Sequence, residues 1–262
     1  MFTKVSFIDL KEMSVLYCGG VLISPSFVLT AAHCVDDLEK RDLDICKTQT
    51  LPKECYRSPD SFKIGILVRP NKDIVKRKKV KRVIPHPEYS PESNVNDIAL
   101  VELKRKVDCH KLVKPICLPH KDLSQMDQTL IISGWGRYDR IKGSKQMLME
   151  GTVSQIQENE CVFPLPKERH IICARGVDSG QASCQGDSGT AIFKEDDGTG
   201  QFFALGITSV GPDNCTSTNP DSYSDIFHYM KWIKSYVKDL PLPKSEEKRR
   251  EGNGENSRKK KD

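Results

Sequence analysis

The chain has 262 residues, of which 37% are hydrophobic and 29% charged, and a formal net charge of +5. That length suits one large all-β domain or two small lobes, with a core that needs no metal staple. No run of 18 apolar residues occurs, so no segment reads as a transmembrane helix.

In chain order, Met1 to Ser6 does not form a signal peptide, because its apolar stretch is short and Lys4 interrupts it. Val21-Leu22-Ile23 and Phe27-Val28-Leu29 read as strands. Ile98 to Val101, Leu130-Ile131-Ile132 and Phe202 to Ile207 read the same way. Between them lie Gly, Pro, Asn and Asp clusters, and a lobe boundary is expected near Pro115 to Asp127. Near the end, Ile226, Met230, Ile233 and Val237 recur at helical spacing around Trp232, and Pro241 and Pro243 stop that helix. From Lys244 to Asp262, eight Lys/Arg stand against five acidic residues with almost no apolar content, which reads as a disordered basic tail. The domain is thus expected over 1–240 and the tail over 241–262. No internal repeat is evident.

Ten cysteines point to an oxidising compartment. With no export signal at the start, the reading is the C-terminal part of a longer secreted precursor. Three strings carry chemistry: Thr30-Ala31-Ala32-His33-Cys34, Asn96-Asp97-Ile98-Ala99-Leu100 and Gly186-Asp187-Ser188-Gly189. They supply a base, an orienting carboxylate and a nucleophile. A serine hydroxyl is a poor nucleophile until a neighbouring base takes its proton, and imidazole titrates near the working pH.

The order His, Asp, Ser, together with Ser133-Gly134-Trp135-Gly136 and Pro115-Ile116-Cys117-Leu118-Pro119, resembles the trypsin-like serine proteases from about Val5 to Leu240. The resemblance implies two packed six-stranded antiparallel barrels, with His33 and Asp97 on the first lobe and Ser188 on the second. It gives His33 the role of base, Asp97 that of orienter and Ser188 that of nucleophile. The backbone amides of Gly186 and Ser188 would form the oxyanion hole.

The same resemblance implies disulfides Cys18–Cys34, Cys161–Cys173 and Cys184–Cys215. Cys46 and Cys55 are extra, enclose a small loop, and are similar to a feature of arthropod clip-domain proteases. Cys117 matches a cysteine that bridges to a segment preceding the catalytic domain. Its alternative mate, Cys109, is separated from it by seven residues. Run extended, that span covers roughly 25 Å, against the ~7 Å limit of a disulfide. No Cys-x-x-Cys or His ligand set suggests zinc, the stretch Lys76 to Arg82 lacks the clustered carboxylates that calcium needs, and no cofactor is expected.

The chain departs from the family in three ways. The first concerns activation: family members pair a new α-ammonium with the Asp beside the nucleophile, here Asp187. Only 17 residues precede Cys18 and none forms the Ile-Val-Gly-Gly-like motif. Asp187 is therefore expected to act as an activation switch without a partner, in a mobile, zymogen-like loop, leaving the chain as written nearly inactive. The second concerns the substrate pocket, assigned to Ala182, Ser183, Ser209, Gly211 and Asp221. Ala182 stands where trypsins place the Asp that receives Lys or Arg. Asp221 stands where Gly is usual, and either attracts a basic side chain or fills the pocket. The third is Lys76 to Arg82, six positive charges in seven residues, which reads as a solvated face or as an exosite for an acidic partner.

The expected function is a secreted serine endopeptidase of an immune or developmental cascade. It would take protein substrates, with a serpin-type inhibitor and an upstream activating protease as partners; nucleic acid and membrane are not expected partners. The alternative is a non-catalytic homologue that binds within a cascade.

Overall fold

The computed structural model describes residues 3–11, 16–67, 76–109, 113–137, 148–161, 170–178, 181–211 and 214–243. The tail read as disordered, from Lys244 onward, lies outside them. Strands β1 (Lys4–Asp9), β2 (Leu16–Leu22), β3 (Phe27–Thr30), β4 (Phe62–Ile66), β5 (Lys76–Pro85) and β6 (Ala99–Leu103) close a first barrel in the order β1-β2-β3-β6-β5-β4. Strands β7 (Thr129–Gly134), β8 (Met149–Ile156), β9 (Ile171–Gly176), β10 (Ala191–Asp196), β11 (Gln201–Val210) and β12 (Asp221–Asp225) close a second, in the order β10-β11-β12-β9-β8-β7. Every strand pairing is antiparallel. The fold is the chymotrypsin-like pair of six-stranded barrels, and closure removes the exposed sheet edges.

The strands read from the sequence sit within or against these elements. Leu130 to Ile132 falls inside β7 and Phe202 to Ile207 inside β11, whereas Ile23 and Ile98 stand one residue outside β2 and β6. The helix α1 runs Ile226–Tyr236 and buries Ile226, Tyr229, Met230 and Ile233. Asp225 caps it by accepting a hydrogen bond from the Phe227 N–H. Val237 closes it, donating its N–H to the Ile233 carbonyl at 2.9 Å.

The chain passes from one barrel to the other at two consecutive residues. Ile116 donates its N–H to the Leu22 carbonyl of β2 at 2.9 Å, and Cys117 donates to Phe202 of β11 at 3.1 Å. Cys117 is buried against Phe203 and accepts from the Gln201 amide, while Cys109 is exposed and donates to the Val107 carbonyl. The disulfides are Cys18–Cys34, Cys46–Cys55, Cys161–Cys173 and Cys184–Cys215. No helix among the described residues is long and apolar enough to cross a membrane.

Candidate active site

β3 ends at Thr30, and buried Ala31 and Ala32 lead into a turn that carries His33. The Cys18–Cys34 disulfide ties that turn to β2. Asp97 lies just before β6 and is buried. Its two oxygens meet the histidine twice: Oδ1 accepts the His33 backbone N–H at 2.9 Å, and Oδ2 lies 2.7 Å from Nδ1. The second barrel completes the shell. Ser209 of β11 donates its hydroxyl to Asp97 Oδ2 at 2.6 Å, and Ser224 of β12 donates to the Asp97 carbonyl at 2.8 Å. Tyr229 of α1 donates to the Asn96 side chain, holding the preceding residue in its left-handed conformation, φ 56°.

Burial alone would raise the Asp97 pKa, but His33 and the Ser209 hydroxyl outweigh it and hold the carboxyl below its usual range. For His33, burial pulls the pKa down, and the adjacent Asp97 carboxylate outweighs it and raises the pKa. Nδ1–H pointing at Asp97 leaves Nε2 as the basic nitrogen, on the side of the cleft.

Ser188 lines the same cleft as His33. Its carbonyl accepts the Gly19 N–H of β2 at 2.8 Å, so the Ser188 turn is pinned across the two barrels. The turn before it is closed by the Asp187 N–H donating to the Cys184 carbonyl at 2.9 Å, with Gly186 at φ 101°. A turn with its third residue at positive φ favours glycine. The Gln185 carbonyl accepts the Arg137 N–H at 3.0 Å. In a planar trans peptide the following N–H, that of Gly186, points the opposite way.

Asp187 turns away from the cleft into a cavity lined by Gly134, Gly136, Arg137, Glu150, Ala182 and Asn214. It accepts the Gly136 N–H at 2.7 Å and the Cys184 N–H at 3.0 Å. Burial pushes its pKa up to about 6 despite those two bonds, and no cation among the described residues contributes. Lys4 of β1 pairs with Glu150 beside that cavity.

Of the pocket residues, Ser183, Ser209, Gly211 and Asp221 line the cleft with His33 and Ser188, whereas Ala182 lines the Asp187 cavity. Sequence reasoning missed Arg41, which lines the cleft and donates Nε–H to the buried Asp36 at 2.9 Å. Nothing in the sequence marks it, since it sits in the loop after the histidine. The Ser209–Asp97 bond was also missed. Cys18, Cys34 and His33 lie close together, yet they offer no metal site: both sulfurs are in the disulfide and Nδ1 faces Asp97.

The sequence profile of the Trypsin family matches residues 5–233. The chain belongs to the trypsin family of serine proteases. It is 32% identical over 233 residues to vitamin K-dependent protein C of Mus musculus, covering 85% of this chain and 46% of that protein. It is 34% identical over 227 residues to mannan-binding lectin serine protease 1 of Homo sapiens, covering 83% and 31%. It is 31% identical over 239 residues to the CLIP domain-containing serine protease HP8 of Bombyx mori, covering 84% and 61%. The chain therefore spans between a third and three fifths of the length of these trypsin-family relatives.

Proposed function

We propose that the chain is the catalytic part of a secreted serine endopeptidase acting in a proteolytic cascade. The observation that carries this reading is the His33–Asp97–Ser209 hydrogen-bond network facing the cleft that holds Ser188. Ser188 Oγ attacks the peptide carbonyl while His33 Nε2 takes its proton. The tetrahedral oxyanion is received by the Gly186 and Ser188 amides, a type of contact worth on the order of 3–4 kcal/mol. His33 then protonates the leaving amine, and water hydrolyses the acyl-enzyme by the same proton relay.

Asp187 is the activation switch. An α-ammonium entering its cavity would neutralise the carboxylate and fix the Gly186 turn; without one, activity is low. Cys117 would bridge to a segment preceding the catalytic domain. The four disulfides support an extracellular setting. Two of the relatives are named as serine proteases, which supports protein substrates; an upstream activating protease and a serpin-type inhibitor are the further partners of this reading. Arg77, Lys79 and Lys81 of β5 are exposed, which supports an exosite for an acidic partner. The test is kinetic: Ser188→Ala should lower turnover of peptide or ester substrates by roughly a million-fold. Turnover that survives the substitution would reject the assignment.

A non-catalytic binding role is the second reading. It is favoured by one observation, the half-buried Asp187 and the buried Asp221 with no cation on either among the described residues.

A further inference from the structure

His170, just before β9, and His228, in the first turn of α1, lie ring against ring. Their imidazole centroids are 3.3 Å apart and the ring planes are 11° from parallel. The backbone fixes the meeting. Asp225 donates its N–H to the His170 carbonyl at 3.0 Å, and its carboxylate caps α1 by accepting the Phe227 N–H. Both histidines are exposed. Tyr229 meets the His228 ring edge-on, with centroids 4.9 Å apart.

The rings' own attraction does not explain this arrangement. Aromatic pairs prefer an offset stack or an edge-to-face contact to a sandwich, and a centroid separation of 3.3 Å leaves almost no room for an offset. A shared ion does explain it. Two imidazole nitrogens bound to one tetrahedral ion at about 2.0–2.1 Å stand roughly 3.3 Å from each other. A modest tilt of either ring turns one nitrogen of each onto a common point. We propose that His170 and His228 are the protein ligands of a surface site for an imidazole-preferring transition-metal ion, Zn²⁺ or Cu²⁺, with water in the remaining positions. The ion would clamp the first turn of α1 to the start of β9. The two ligands stand on separate elements, which is why no ligand string shows in the sequence. The positive end of the α1 dipole opposes a cation there, and nearby carboxylates offset it. Burial pushes the Asp225 pKa up to about 6 against the Phe227 amide, and the charges of Asp122 and Glu158 add to the rise, so a cation relieves all three. Burial and His170 hold the His228 pKa below its ordinary value, which keeps that imidazole neutral and able to ligate near pH 7. Hard cations such as Ca²⁺ and Mg²⁺ take oxygen ligands and are not expected to bind. The site is independent of the peptidase reading.

The titratable groups that face the pair among the described residues are Asp225, Tyr229 and His86, with Asp122 and Glu158 beyond Asp225. Protonation of the two imidazoles competes with the metal, so binding should weaken in acid. The test titrates ZnCl₂, CuCl₂ and CaCl₂ by calorimetry into a Ser188→Ala, Cys109→Ser chain, which neither digests itself nor offers the exposed thiol. One Zn²⁺ per chain is expected, with Cu²⁺ tighter and no binding of Ca²⁺. His170→Gln and His228→Gln should each weaken Zn²⁺ by at least the roughly 10–100-fold that loss of an outer-shell partner costs. Zn²⁺ should bind about tenfold more weakly at pH 5.5 than at pH 7.5. A second measurement needs no variant. In the unsubstituted chain, ZnCl₂ should protect His170 and His228 from diethylpyrocarbonate and leave the exposed His120 reactive, as read by peptide mass mapping. Unchanged Zn²⁺ affinity in both variants would place the ion elsewhere and overturn the proposal. So would equal modification of His170 and His228 with and without ZnCl₂, or Ca²⁺ binding as tight as Zn²⁺ binding.

Discussion

Asp187 and Asp221 are held by consecutive backbone amides. The Cys184 N–H binds Asp187 and the Ser183 N–H binds Asp221, at 3.0 and 2.9 Å. One two-residue segment is therefore the partition between the two cavities, with the half-buried Asp187 on one side and the buried Asp221 on the other. Neither carboxylate has a cation among the described residues, and Asp187 adds to the upward shift of Asp221. Whatever neutralises one makes the segment easier to hold for the other.

The first prediction concerns stability and pH. The Asp221 pKa is raised in the fold to about 7 from 3.8. Above pH 7 both folded and unfolded chains carry the ionised group, and the fold bears the desolvation penalty. Below pH 4 both carry it neutral and the penalty is gone. Its contribution is thus most favourable in acid and is lost as pH rises from about 4 to 7. Asp221→Asn retains an acceptor for the Ser183 amide and should stabilise the chain at pH 8 by about 2 kcal/mol or more, with little effect at pH 4. Urea unfolding at the two pH values measures this.

The oxyanion turn gives a second prediction. Gly186 sits at φ 101°, and a Cβ there would come 3.1 Å from the Gly136 Cα. Gly186→Ala should disturb the turn and its N–H while leaving His33 and Asp97 in place. We expect kcat to fall by about 10²–10³-fold, as for loss of one oxyanion donor. Retention of the Cys18–Cys34 disulfide and of the melting temperature would mark the change as local. Wild-type kcat in this variant would remove Gly186 from the hole.

A third prediction follows from the Ser209–Asp97 bond. Ser209→Ala leaves a buried carboxylate oxygen short of one donor, which destabilises by roughly 1–3 kcal/mol. It also concentrates the Asp97 charge on His33. The acid limb of kcat/KM follows His33, already raised above the ordinary 6.5, and should move further upward in the variant. A limb that stays put would mean that Ser209 does not act on Asp97.

The barrels were legible in part. Apolar runs such as Ile98 to Val101 announce strands because both faces are buried. β5 did not announce itself: Lys76 to Arg82 reads as a charge run, and only Val80 and Ile84 face inward. β12 was hidden for the opposite reason. Asp221-Ser222-Tyr223-Ser224 is polar yet buried, because it forms the pocket wall and is satisfied by Ser183, Tyr223 and Asp97. The strings bearing His33, Asp97 and Ser188, which the fold brings together at one cleft, stood out because each is a distinctive local sequence. Arg41 and the second bond on Asp97 were not, since they depend on contacts distant in sequence.

The thiols offer a fourth prediction. Cys109 is exposed and Cys117 is buried at the barrel crossing. Iodoacetamide should modify Cys109 in the folded chain and Cys117 only after unfolding, as read by peptide mass mapping. Modification of Cys117 at the rate of Cys109 would show the crossing to be open.

On the reading proposed above, Ser188 is a nucleophile activated by His33 and Asp97. A fluorophosphonate probe tests it most directly on a form whose Asp187 cavity has received an α-ammonium. The expected result is stoichiometric labelling at Ser188, lost in Ser188→Ala and reduced by about 10⁴-fold in rate in Asp97→Asn, as in comparable triads. Equal labelling of the wild-type and Ser188→Ala chains, or no labelling of either, would contradict it.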